Sequence, residues 1–514
     1  MINHLLSVAA NILFLHKPDF YKMQTPIEQI ENLFANWSKA TINSIDKLPQ
    51  AGSERHYFRL HTSEGDFIAT YGANIKENES FIYFSNHFAT KNLSTAKILC
   101  VNADKDIYIQ QDFGSVSLLD KLEQNGFTNE VYKLYQQSLH QLALLQIKGH
   151  EGLDYKKCLT NSSFGKEAIM ADLLYFKYYF LDALRKPYDK QKLIKDFEAL
   201  SNYLSHTEYK FFMFRDFQSR NIMVDENDTV HFIDYQGGMK GAPQYDVASL
   251  LWQARANLPD DWKQQLLEDY MHSFEAIIGE SIDKDIFRSQ YNGYVLIRLM
   301  QVLGAYGFRG LFERKAHFLT SIPLALQNLK WFITHQSVGI ALPEFKKVLE
   351  LCISDEVIQE FTPVQATEET PLVVSIKSFS FIQSGYPKDE TKNGGGFVFD
   401  MRGILNPGRF DEYKHLSGLD KSVKDFLEQK TKMPDFLNSV YSIIDISVED
   451  YIKRGFEHLS INFGCTGGQH RSVYAAEAIA RHLRNKFKVK IELKHSNRQN
   501  WKKTEQLPQT PKGA

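Results

Sequence analysis

The stretch Phe211–Gly238, FFMFRDFQSRNIMVDENDTVHFIDYQGG, contains two short apolar runs, and each leads to an acidic residue. Both runs, 211–214 and 230–233, have the length of a strand. Asp216 follows the first run, Asp234 follows the second, and Asn221 lies in the polar segment between them. The pattern predicts two strands that each deliver a carboxylate at their end, with an amide side chain in the connecting loop.

These three side chains suit the transfer of a γ-phosphoryl group from ATP. The reaction needs one carboxylate to orient the acceptor hydroxyl and accept its proton, and an amide oxygen with a second carboxylate to hold Mg²⁺ against the phosphates. We therefore predict Asp216 as the catalytic base and Asn221 and Asp234 as metal ligands. The alternative is that both aspartates only form turns at strand ends and that Asn221 caps a helix.

The spacing D-x-x-x-x-N, followed by apolar-I-D-apolar, resembles the catalytic and metal loops of the protein-kinase-like superfamily. The strings FRDFQSRNIMV and FIDYQ, with GAPQYDVASLL at Gly241–Leu251, are most similar to aminoglycoside and choline phosphotransferases. Within that group they resemble cytoplasmic kinases that phosphorylate N-acetylmuramate and related amino sugars at the anomeric hydroxyl. The resemblance implies a transferase of cell-wall recycling that uses ATP and Mg²⁺. It also implies that Asp246, at the start of a helix, braces the catalytic loop; a role as the N-cap of that helix is the structural alternative.

Two departures from the family pattern concern the mechanism. The loop histidine of the family is Phe214 here, and we expect its ring to pack beneath the metal loop in place of the imidazole. The lysine of the third strand is missing, because no Lys or Arg occurs between Arg59 and Lys76. Arg55, Arg59 and Lys76 stay open as its replacement. Glu79 stands where the usual acidic partner would be, and a surface residue without that role is the alternative.

The segments 48–60 and 65–71 resemble the first strands of the small kinase lobe, and 108–114 resembles the hinge strand that meets adenine. A turn with Gly52 and Ser53 would place backbone N–H groups over the phosphates. We predict Gly52, Ser53, Arg59 and Gln111 as ATP-binding residues. An ordinary hairpin turn is the alternative for the Gly-Ser pair.

Length and composition indicate a soluble protein of two or three domains. The chain has 514 residues, 43% hydrophobic and 24% charged, with a net charge of −2. This balance argues against a general attraction to nucleic acid or membranes. The four cysteines are far apart and form no C-x-x-C pair, which favours a reducing cytoplasm over a disulfide framework or a zinc site. The apolar run 5–15 has no preceding Lys or Arg, so we interpret 1–22 as an extension before a natural start near Met23 rather than as an export signal.

The pattern of motifs divides the chain into a kinase-like domain at 23–350, a polar linker at 351–371, a second domain at 372–498 and a basic, disordered tail at 499–514. The predicted fold class is α+β. A two-lobed protein-kinase-like fold is followed by a smaller α/β domain with an anion site built from a strand, a glycine-rich loop and a helix.

That second site lies in INFGCTGGQHRSV at 461–473. A strand, a glycine-rich loop and a helix N-terminus together form an anion cradle. Arg471 would add a bidentate phosphate ligand, and Asp400, Arg402 and Lys494 are further candidates. The predicted phosphosugar-binding residues are Cys465, Thr466, Gly467, Gly468, His470 and Arg471. The spacing C-x5-R-S also occurs in cysteine phosphatases, but the histidine that usually precedes their cysteine is Gly464 here.

The same string, with SFSF at 378–381, FVFDMRGILNP at 397–407 and LSGLDKSV at 416–423, resembles the C-terminal domain of the RNase adapter protein family RapZ. The Walker motif of the adapter's other domain is absent from this chain. The resemblance implies a phosphosugar effector such as glucosamine-6-phosphate, and also small-RNA binding. The basic excess after Tyr451, 13 Lys or Arg against 4 Asp or Glu, could track a phosphate backbone. A catalytically weak scaffold that carries a phosphosugar-sensing or RNA-binding domain is the alternative to a regulated kinase.

Overall fold

A computed structural model describes residues 25–48, 55–313, 315–389, 391 and 396–501. The predicted extension 1–22, the turn with Gly52 and Ser53, and the tail from residue 502 lie outside these residues. The chain forms two compact units. The first comprises the residues up to Glu167 with Asn202–Val295, and the second comprises Ala168–Ser201 with the residues from Leu296 onward.

The strands fall into an N-terminal group, four short strands around the predicted catalytic loop, and a C-terminal group. They are β1 Ile42–Lys47, β2 His56–Thr62, β3 Gly65–Tyr71, β4 Ile98–Val101, β5 Ile107–Gln111, β6 Phe211–Met213, β7 Ile222–Val224, β8 Val230–Phe232, β9 Met239–Gly241, β10 Val373–Ser380, β11 Gly396–Asp400, β12 His458–Cys465 and β13 Lys490–His495.

The helices occupy most of the remaining chain. They are α1 Pro26–Trp37, α2 Ile75–Ala89, α3 Leu118–Asn125, α4 Asn129–His150, α5 Lys166–Phe176, α6 Lys190–Ser205, α7 Gln244–Leu251, α8 Asp260–Ile278, α9 Lys284–Tyr306, α10 Ala316–Leu319, α11 Ile322–His335, α12 Pro343–Cys352, α13 Asp355–Phe361, α14 Lys421–Lys430, α15 Met433–Arg454 and α16 Arg471–Phe487.

The first unit begins with an antiparallel five-stranded sheet in the order β1-β2-β3-β5-β4. The apolar spacing of 25–38 predicts a helix with Thr25 as its N-cap, and α1 starts there because Thr25 and Glu28 form a reciprocal capping box. Its apolar face buries Ile30 and Phe34 with Phe58 in the core of the sheet. Burial of each of these side chains stabilises the unit by about 2 kcal/mol. The sheet therefore holds β2, β3 and β5 as a rigid platform.

The catalytic region consists of two small hairpin-like sheets, in which β6 pairs with β9 and β7 pairs with β8. The chain between β6 and β7 contains the predicted base, and the chain after β8 contains the predicted second metal ligand. Both predicted strands therefore form, each shorter than its apolar run. Helices α4 and α8 of the same unit lie against each other.

The i, i+3, i+4 spacing of apolar residues over 163–185 predicts one helix, and the structure differs from this prediction at both ends. Helix α5 begins only at Lys166, because Phe164 donates its backbone N–H to the carbonyl of Lys240 at 2.7 Å beside β9. After Phe176 the chain continues as a π-helical turn, Lys177–Leu181, and a 3₁₀ turn, Asp182–Leu184. A local strand-like pairing thus outweighs the helical periodicity at the start of this segment.

The second unit contains a four-stranded sheet in the order β11-β12-β10-β13, with every pair parallel. The register places Ser380 opposite Cys465 and Asp400 opposite Gly464. The carboxyl ends of three strands therefore meet at one edge, which is where open parallel sheets bind ligands. The residues of α16 predicted to face inward are buried: Ala475, Ala476, Ile479, Ala480 and Leu483.

Among the described residues, the helical run Lys284–Phe312 is long and apolar enough to cross a membrane by length and composition. Of its most apolar window, 56% is buried within protein. A core helix of a globular fold has the same properties.

Candidate functional site

The three residues predicted for phosphoryl transfer lie close together in the first unit. Asn221 ends a 3₁₀ turn after the base, and its Nδ2 donates to the backbone carbonyl of Asp216 at 2.9 Å. The same nitrogen lies 3.4 Å from Oδ2 of Asp234. The backbone N–H of Ile233 donates to the carbonyl of Asn221 at 3.1 Å. Asn221 therefore joins the loop of the base to the loop that follows β8.

Asp246 holds the start of the catalytic loop with its carboxylate. Its Oδ2 accepts the backbone N–H of Phe214 at 2.8 Å and Nε2 of Gln146 at 3.0 Å. Its Oδ1 accepts the backbone N–H of Arg215 at 2.9 Å. The alternative role as an N-cap is wrong, because α7 already begins at Gln244 and Asp246 lies within its first turn. The carboxylate thus binds the backbone of a different segment rather than that of its own helix.

Burial and hydrogen bonding act in opposite directions on Asp246. The side chain is fully buried, and burial raises the pKa of its carboxyl to about 7. The donors from Phe214, Gln146 and Arg215 counter this rise, since they favour the ionised form. Above pH 7 the carboxylate is ionised and accepts all three hydrogen bonds.

The backbone is strained on both sides of the cluster. Arg215 has φ of +80° and Asp234 has φ of +70°, in the region that favours glycine. Each such residue costs about 1–3 kcal/mol and persists only where its surroundings hold it. Arg215 is held by Asp246 and by the ring of Phe164, which its guanidinium carbon approaches to 4.5 Å. The strain sets the direction in which the next residue, Asp216, leaves the strand.

Phe214 takes the place expected for the family's histidine. Its ring is fully buried and meets Tyr235 of the metal loop edge to face, with 6.0 Å between ring centroids. Phe217 and Phe232 complete the aromatic cluster at 5.3 and 6.2 Å. The prediction that an aromatic ring packs beneath the metal loop is confirmed.

The donor set of this cluster fits a magnesium ion. Because Nδ2 of Asn221 is used by Asp216 and Asp234, its amide oxygen is left as the group for a cation. Asp234 adds a carboxylate, and Mg²⁺ prefers oxygen ligands of these two kinds. The described residues contain no group of three or more His, Cys, Asp or Glu side chains that could hold a metal. An ion bound here would complete its shell with phosphate and water oxygens, as is usual for Mg²⁺.

Arg55 is the cation of this cluster. It lies just before β2 and is only 3% exposed. Its Nε lies 3.3 Å from Oε1 of Glu77, and its Nη2 donates to Oδ1 of Asp234 at 3.0 Å. The sequence left Arg55 open beside Arg59 and Lys76, and Arg55 is the one whose contact with Asp234 the structure shows.

The acidic partner predicted for the missing lysine, Glu79, is wrong. Glu79 is exposed and its Oε1 accepts Nζ of Lys105 at 2.5 Å, whereas Glu77 meets the buried cation. Two residues correspond to about 200° around a helix, so Glu77 and Glu79 point in opposite directions from α2. The missed signal was the position of Glu77 in the first turn of the helix, where its neighbours Asn78 and Phe81 are buried.

Two predicted ATP-binding residues lie along the strands that lead to the hinge. Arg59 donates Nε to Oδ2 of Asp112 at 2.5 Å and Nη2 to the carbonyl of Gly114 at 2.9 Å. Gln111 ends β5, and its Oε1 accepts the backbone N–H of Lys97 at 3.2 Å. Arg59 thus binds the chain beyond β5, and ATP binding by either residue stays a prediction.

The glycine-rich loop of the second unit is held by its carbonyl groups. The carbonyl of Gly467 accepts Nδ2 of Asn497 at 2.7 Å, and that of Gly468 accepts Nε1 of Trp501 at 2.9 Å. The described chain has no cis peptide bond. In a trans peptide the N–H of the following residue points away from the carbonyl, so the N–H groups of Gly468 and Gln469 point away from Asn497 and Trp501. One such group, the N–H of Gly468, donates to Sγ of Cys465 at 3.2 Å. The loop therefore turns its N–H groups toward the cysteine at the end of β12.

Arg471 is a buried cation with an unused donor. It is 4% exposed, and its Nη1 donates to the carbonyls of Arg402 and Ile404 at 3.1 and 2.7 Å. Its Nη2 lies 3.5 Å from Oγ1 of Thr466, and its Nε has no hydrogen-bond partner among the described residues. Burial lowers the pKa of Arg471. The Nε–Nη2 edge of this guanidinium has the geometry that binds a phosphate in a bidentate manner.

Cys465 and His470 serve the structure of the loop. The thiol of Cys465 is 2% exposed and lies 3.1 Å from Oγ of Ser472. Nε2 of His470 lies 2.9 Å from the carbonyl of Tyr413, and burial lowers the pKa of the imidazole. The loop thus brings together Cys465, Gly468 and Arg471, while His470 ties it to the segment before α14.

The further candidates lie beside this loop in different surroundings. Asp400 forms a bidentate ion pair with Arg402, whose guanidinium carbon lies 4.2 Å from the ring centroid of Phe381. Lys494 lines a cavity of 860 Å³ together with Gln469. The structure therefore places a carboxylate and an arginine at the strand edge, and Lys494 in a neighbouring cavity.

Two sequence profiles match the chain. Residues 49–277 match the phosphotransferase enzyme family. This part of the protein is therefore a phosphotransferase-like domain of the predicted kinase-like fold. Residues 372–499 match the RapZ C-terminal domain. The chain thus joins a phosphotransferase-like domain and a RapZ-type domain, and the resemblance of each part to these two families is confirmed.

Curated relatives are similar to part of this chain. A nucleotide-binding protein of Fervidobacterium nodosum is 34% identical over 197 residues, which cover 35% of this chain and 65% of the relative. A nucleotide-binding protein of Endomicrobium trichonymphae is 38% identical over 124 residues, which cover 24% of this chain and 41% of the relative. The chain spans less than two thirds of the length of these relatives.

Solved structures are similar at low identity. A choline kinase from Cryptosporidium parvum is 12% identical with a TM-score of 0.43, covering 63% of this chain and 98% of that chain. A macrolide 2′-phosphotransferase from Brachybacterium faecium is 11% identical with a TM-score of 0.38, covering 56% of this chain and 94% of that chain.

Proposed function

We propose that the protein is a cytoplasmic, ATP- and Mg²⁺-dependent kinase that phosphorylates the anomeric hydroxyl of an amino sugar, N-acetylmuramate or N-acetylglucosamine. Its RapZ-type domain binds a phosphosugar effector and regulates the kinase. The observation that carries the proposal is the cluster of Asp216, Asn221 and Asp234, joined by Asn221 and braced by Asp246.

In the proposed reaction, Asp216 orients the sugar hydroxyl and accepts its proton. Asn221 and Asp234 hold Mg²⁺, which neutralises charge on the phosphates during transfer. The transition state of phosphoryl transfer is loose, so catalysis depends mainly on position and charge. The hydrogen bonds from Asp246 to the start of the loop support this role, because they fix the backbone from which Asp216 extends.

The choice of an amino sugar rests on the metal-loop string Asp234–Tyr235–Gln236, which resembles that of the amino-sugar kinases. In the structure, Nε2 of Gln236 donates to Oδ1 of Asp234 at 2.9 Å. The glutamine thus supports the predicted metal ligand. The aminoglycoside and choline branches remain alternatives, since the fold alone does not determine the substrate.

The effector role rests on the loop at 465–471. The unpartnered Nε of Arg471 is a donor for an anion. Asp400 lies at the neighbouring strand end, where its carboxylate, now paired with Arg402, would meet the amino group of an amino-sugar phosphate such as glucosamine-6-phosphate.

The activity test is a panel of acceptors with Mg·ATP: N-acetylmuramate, N-acetylglucosamine, other hexoses and aminoglycosides. Phosphorus NMR locates the new phosphate. An anomeric phosphate on an amino sugar, lost in Asp216→Asn and kept in Asp285→Asn on an exposed helix turn, supports the proposal. Turnover of an aminoglycoside alone would contradict the substrate class, and no turnover on any acceptor would favour the scaffold with a phosphosugar or RNA ligand.

The effector test measures binding of glucosamine-6-phosphate and of inorganic phosphate by calorimetry. Arg471→Gln should weaken binding by about 10- to 100-fold, the worth of a charge-assisted bidentate contact. Arg481→Gln, on the same helix and outside the loop, is the matched control. If glucosamine-6-phosphate binds at the loop and kinase rates stay unchanged, the regulatory part of the proposal is wrong.

A further inference from the structure

The position of Arg55 shows a competition for the predicted metal ligand. Oδ1 of Asp234 accepts Nη2 of Arg55 at 3.0 Å and Nε2 of Gln236 at 2.9 Å. Its other oxygen lies 3.4 Å from Nδ2 of Asn221. In this arrangement the carboxylate is occupied by donors. A cation that binds Asp234 must therefore displace at least one of them, and the guanidinium carries the charge that repels it.

The second carboxylate keeps Arg55 in place when that happens. Glu77 forms an ion pair with Nε at 3.3 Å, next to the Nη2 contact with Asp234 on the same edge of the guanidinium. Asn74 caps α2 by accepting the N–H of Glu77 at 3.3 Å, which fixes the first turn of that helix. Glu77 can therefore anchor Arg55 through Nε while Nη2 changes its partner. A guanidinium suits this exchange because it presents several donors in a fixed fork.

The other two cations left open by the sequence are committed elsewhere. Arg59 binds Asp112 and the carbonyl of Gly114. Lys76 lines a separate groove of 530 Å³ together with Glu79 and Lys105. Of the three candidates, Arg55 is thus the one that touches the metal loop.

We propose that Arg55 replaces the missing third-strand lysine and works by exchange. Without nucleotide, Arg55 neutralises Asp234. When Mg·ATP binds, the ion binds Asp234 in place of Arg55, and Nη2 of Arg55 donates to the phosphate oxygens instead. The ion pair between Nε and Glu77 is kept throughout. This inference rests on the proposed function for the use of ATP, and it assigns the phosphate contact to a residue before the second strand. The same residue therefore keeps the empty metal site neutral and binds the nucleotide once the ion arrives.

The test compares metal binding with nucleotide binding in the full chain. Mn²⁺ serves as the probe ion, followed by electron paramagnetic resonance without nucleotide, and Mg·ATP binding is followed by calorimetry. In Arg55→Met, Mn²⁺ should bind about 10-fold more tightly, and Mg·ATP about 10- to 100-fold more weakly, since a charged hydrogen bond is lost in each case. Arg55→Lys should recover part of the Mg·ATP affinity. Arg255→Met removes an exposed arginine that pairs with Glu123 and should change neither.

A second variant guards against loss of the fold. In Glu77→Gln the guanidinium loses one of its two carboxylates, so it should hold Asp234 more firmly, and Mn²⁺ should bind severalfold more weakly. The exchange therefore predicts opposite effects on Mn²⁺ for the two variants. A purely structural Arg55 predicts weaker binding of both probes in both variants, and that result, or unchanged Mn²⁺ binding, overturns the proposal.

The outcome is separable from the proposed sugar kinase activity. If the wild-type chain phosphorylates an amino sugar and the variants lack the opposite shifts, only the exchange is wrong. If the opposite shifts occur and no acceptor is phosphorylated, the exchange stands and the substrate assignment is wrong. A wild-type chain that binds no Mg·ATP overturns both.

Discussion

Replacement of Asp246 by asparagine is the sharpest perturbation of the catalytic loop that leaves side-chain volume unchanged. The buried carboxylate accepts three hydrogen bonds, from the N–H groups of Phe214 and Arg215 and from Gln146. An asparagine has one oxygen and one NH₂ group. Its best orientation keeps the oxygen toward Phe214 and Gln146 and turns the NH₂ group toward the N–H of Arg215.

The expected loss of stability follows from this mismatch in hydrogen-bonding groups. A buried donor left without its acceptor costs about 1–3 kcal/mol, and more where the acceptor was charged. The opposite orientation, with the NH₂ group toward Gln146, is no better. Gln146 cannot turn its amide to offer Oε1 to that group, because Oε1 already accepts the hydroxyl of Tyr270 at 2.5 Å. The left-handed conformation of Arg215 also loses its restraint, with about 1–3 kcal/mol of strain to release. We expect a loss of about 2–4 kcal/mol in the free energy of unfolding and a fall in kcat of about 10- to 100-fold.

The assay is urea unfolding followed by tryptophan fluorescence, together with the initial rate of phosphoryl transfer between pH 6 and 9. The wild-type rate should fall below pH 7 as Asp246 becomes protonated, since its pKa is raised to about 7, and Asp246→Asn should lose this pH dependence. Asp285→Asn, at an exposed position in α9, is the matched control. An Asp246→Asn variant with wild-type stability and rate would refute the bracing role.

Three further outcomes are expected. Burial lowers the pKa of His470 and His495 below 6.5, so the unfolded chain binds more protons at these residues than the folded chain does. The free energy of unfolding should therefore decrease as pH falls below 6.5. Urea unfolding over a pH series should show a smaller decrease in His495→Gln. Gly418→Ala places a Cβ 2.3 Å from the carbonyl oxygen of His470 and 2.5 Å from the backbone nitrogen of Tyr474, so it should lower the thermal midpoint of unfolding. Gly403→Ala, whose Cβ would have no neighbouring atom within 4 Å, should leave the midpoint unchanged. Removal of divalent ions with EDTA should abolish phosphoryl transfer and leave the thermal midpoint of the nucleotide-free chain unchanged, because its metal ligands are already hydrogen-bonded.

Local patterns predicted the elements that carry the chemistry. The two apolar runs with their acidic ends gave both strands and both loops, because strand, turn and loop are specified there by adjacent residues. The capping box at Thr25 fixed the first helix for the same reason. In the second domain, the sequence pattern predicts a strand at 458–463 and a helix at 472–485, and the ends of β12 and α16 lie within two residues of these bounds.

Contacts between distant segments were beyond the sequence. Arg55 and Asp234 are 179 positions apart, and no local signal distinguishes Arg55 from Arg59. Glu77 and Glu79 differ only in the direction in which they leave α2, which depends on how the helix packs. The brace that Asp246 provides was implied by the family resemblance and by no local pattern, because the backbone that it binds lies 31 and 32 residues earlier. Such partners depend on how distant segments pack against each other, and the periodicity of the sequence carries no information about that packing.

Arg55 and Arg59 are four residues apart along one extended segment, so their side chains leave the same face of the first sheet. A deletion or insertion of one residue between Arg55 and Arg59 would turn one of the two guanidinium groups to the opposite face relative to the other. The cluster at Asp234 or the anchor at Asp112 would then lose its cation in a single genetic event. Genes that preserve this chemistry should therefore drift here by substitution while the length of the segment stays constant.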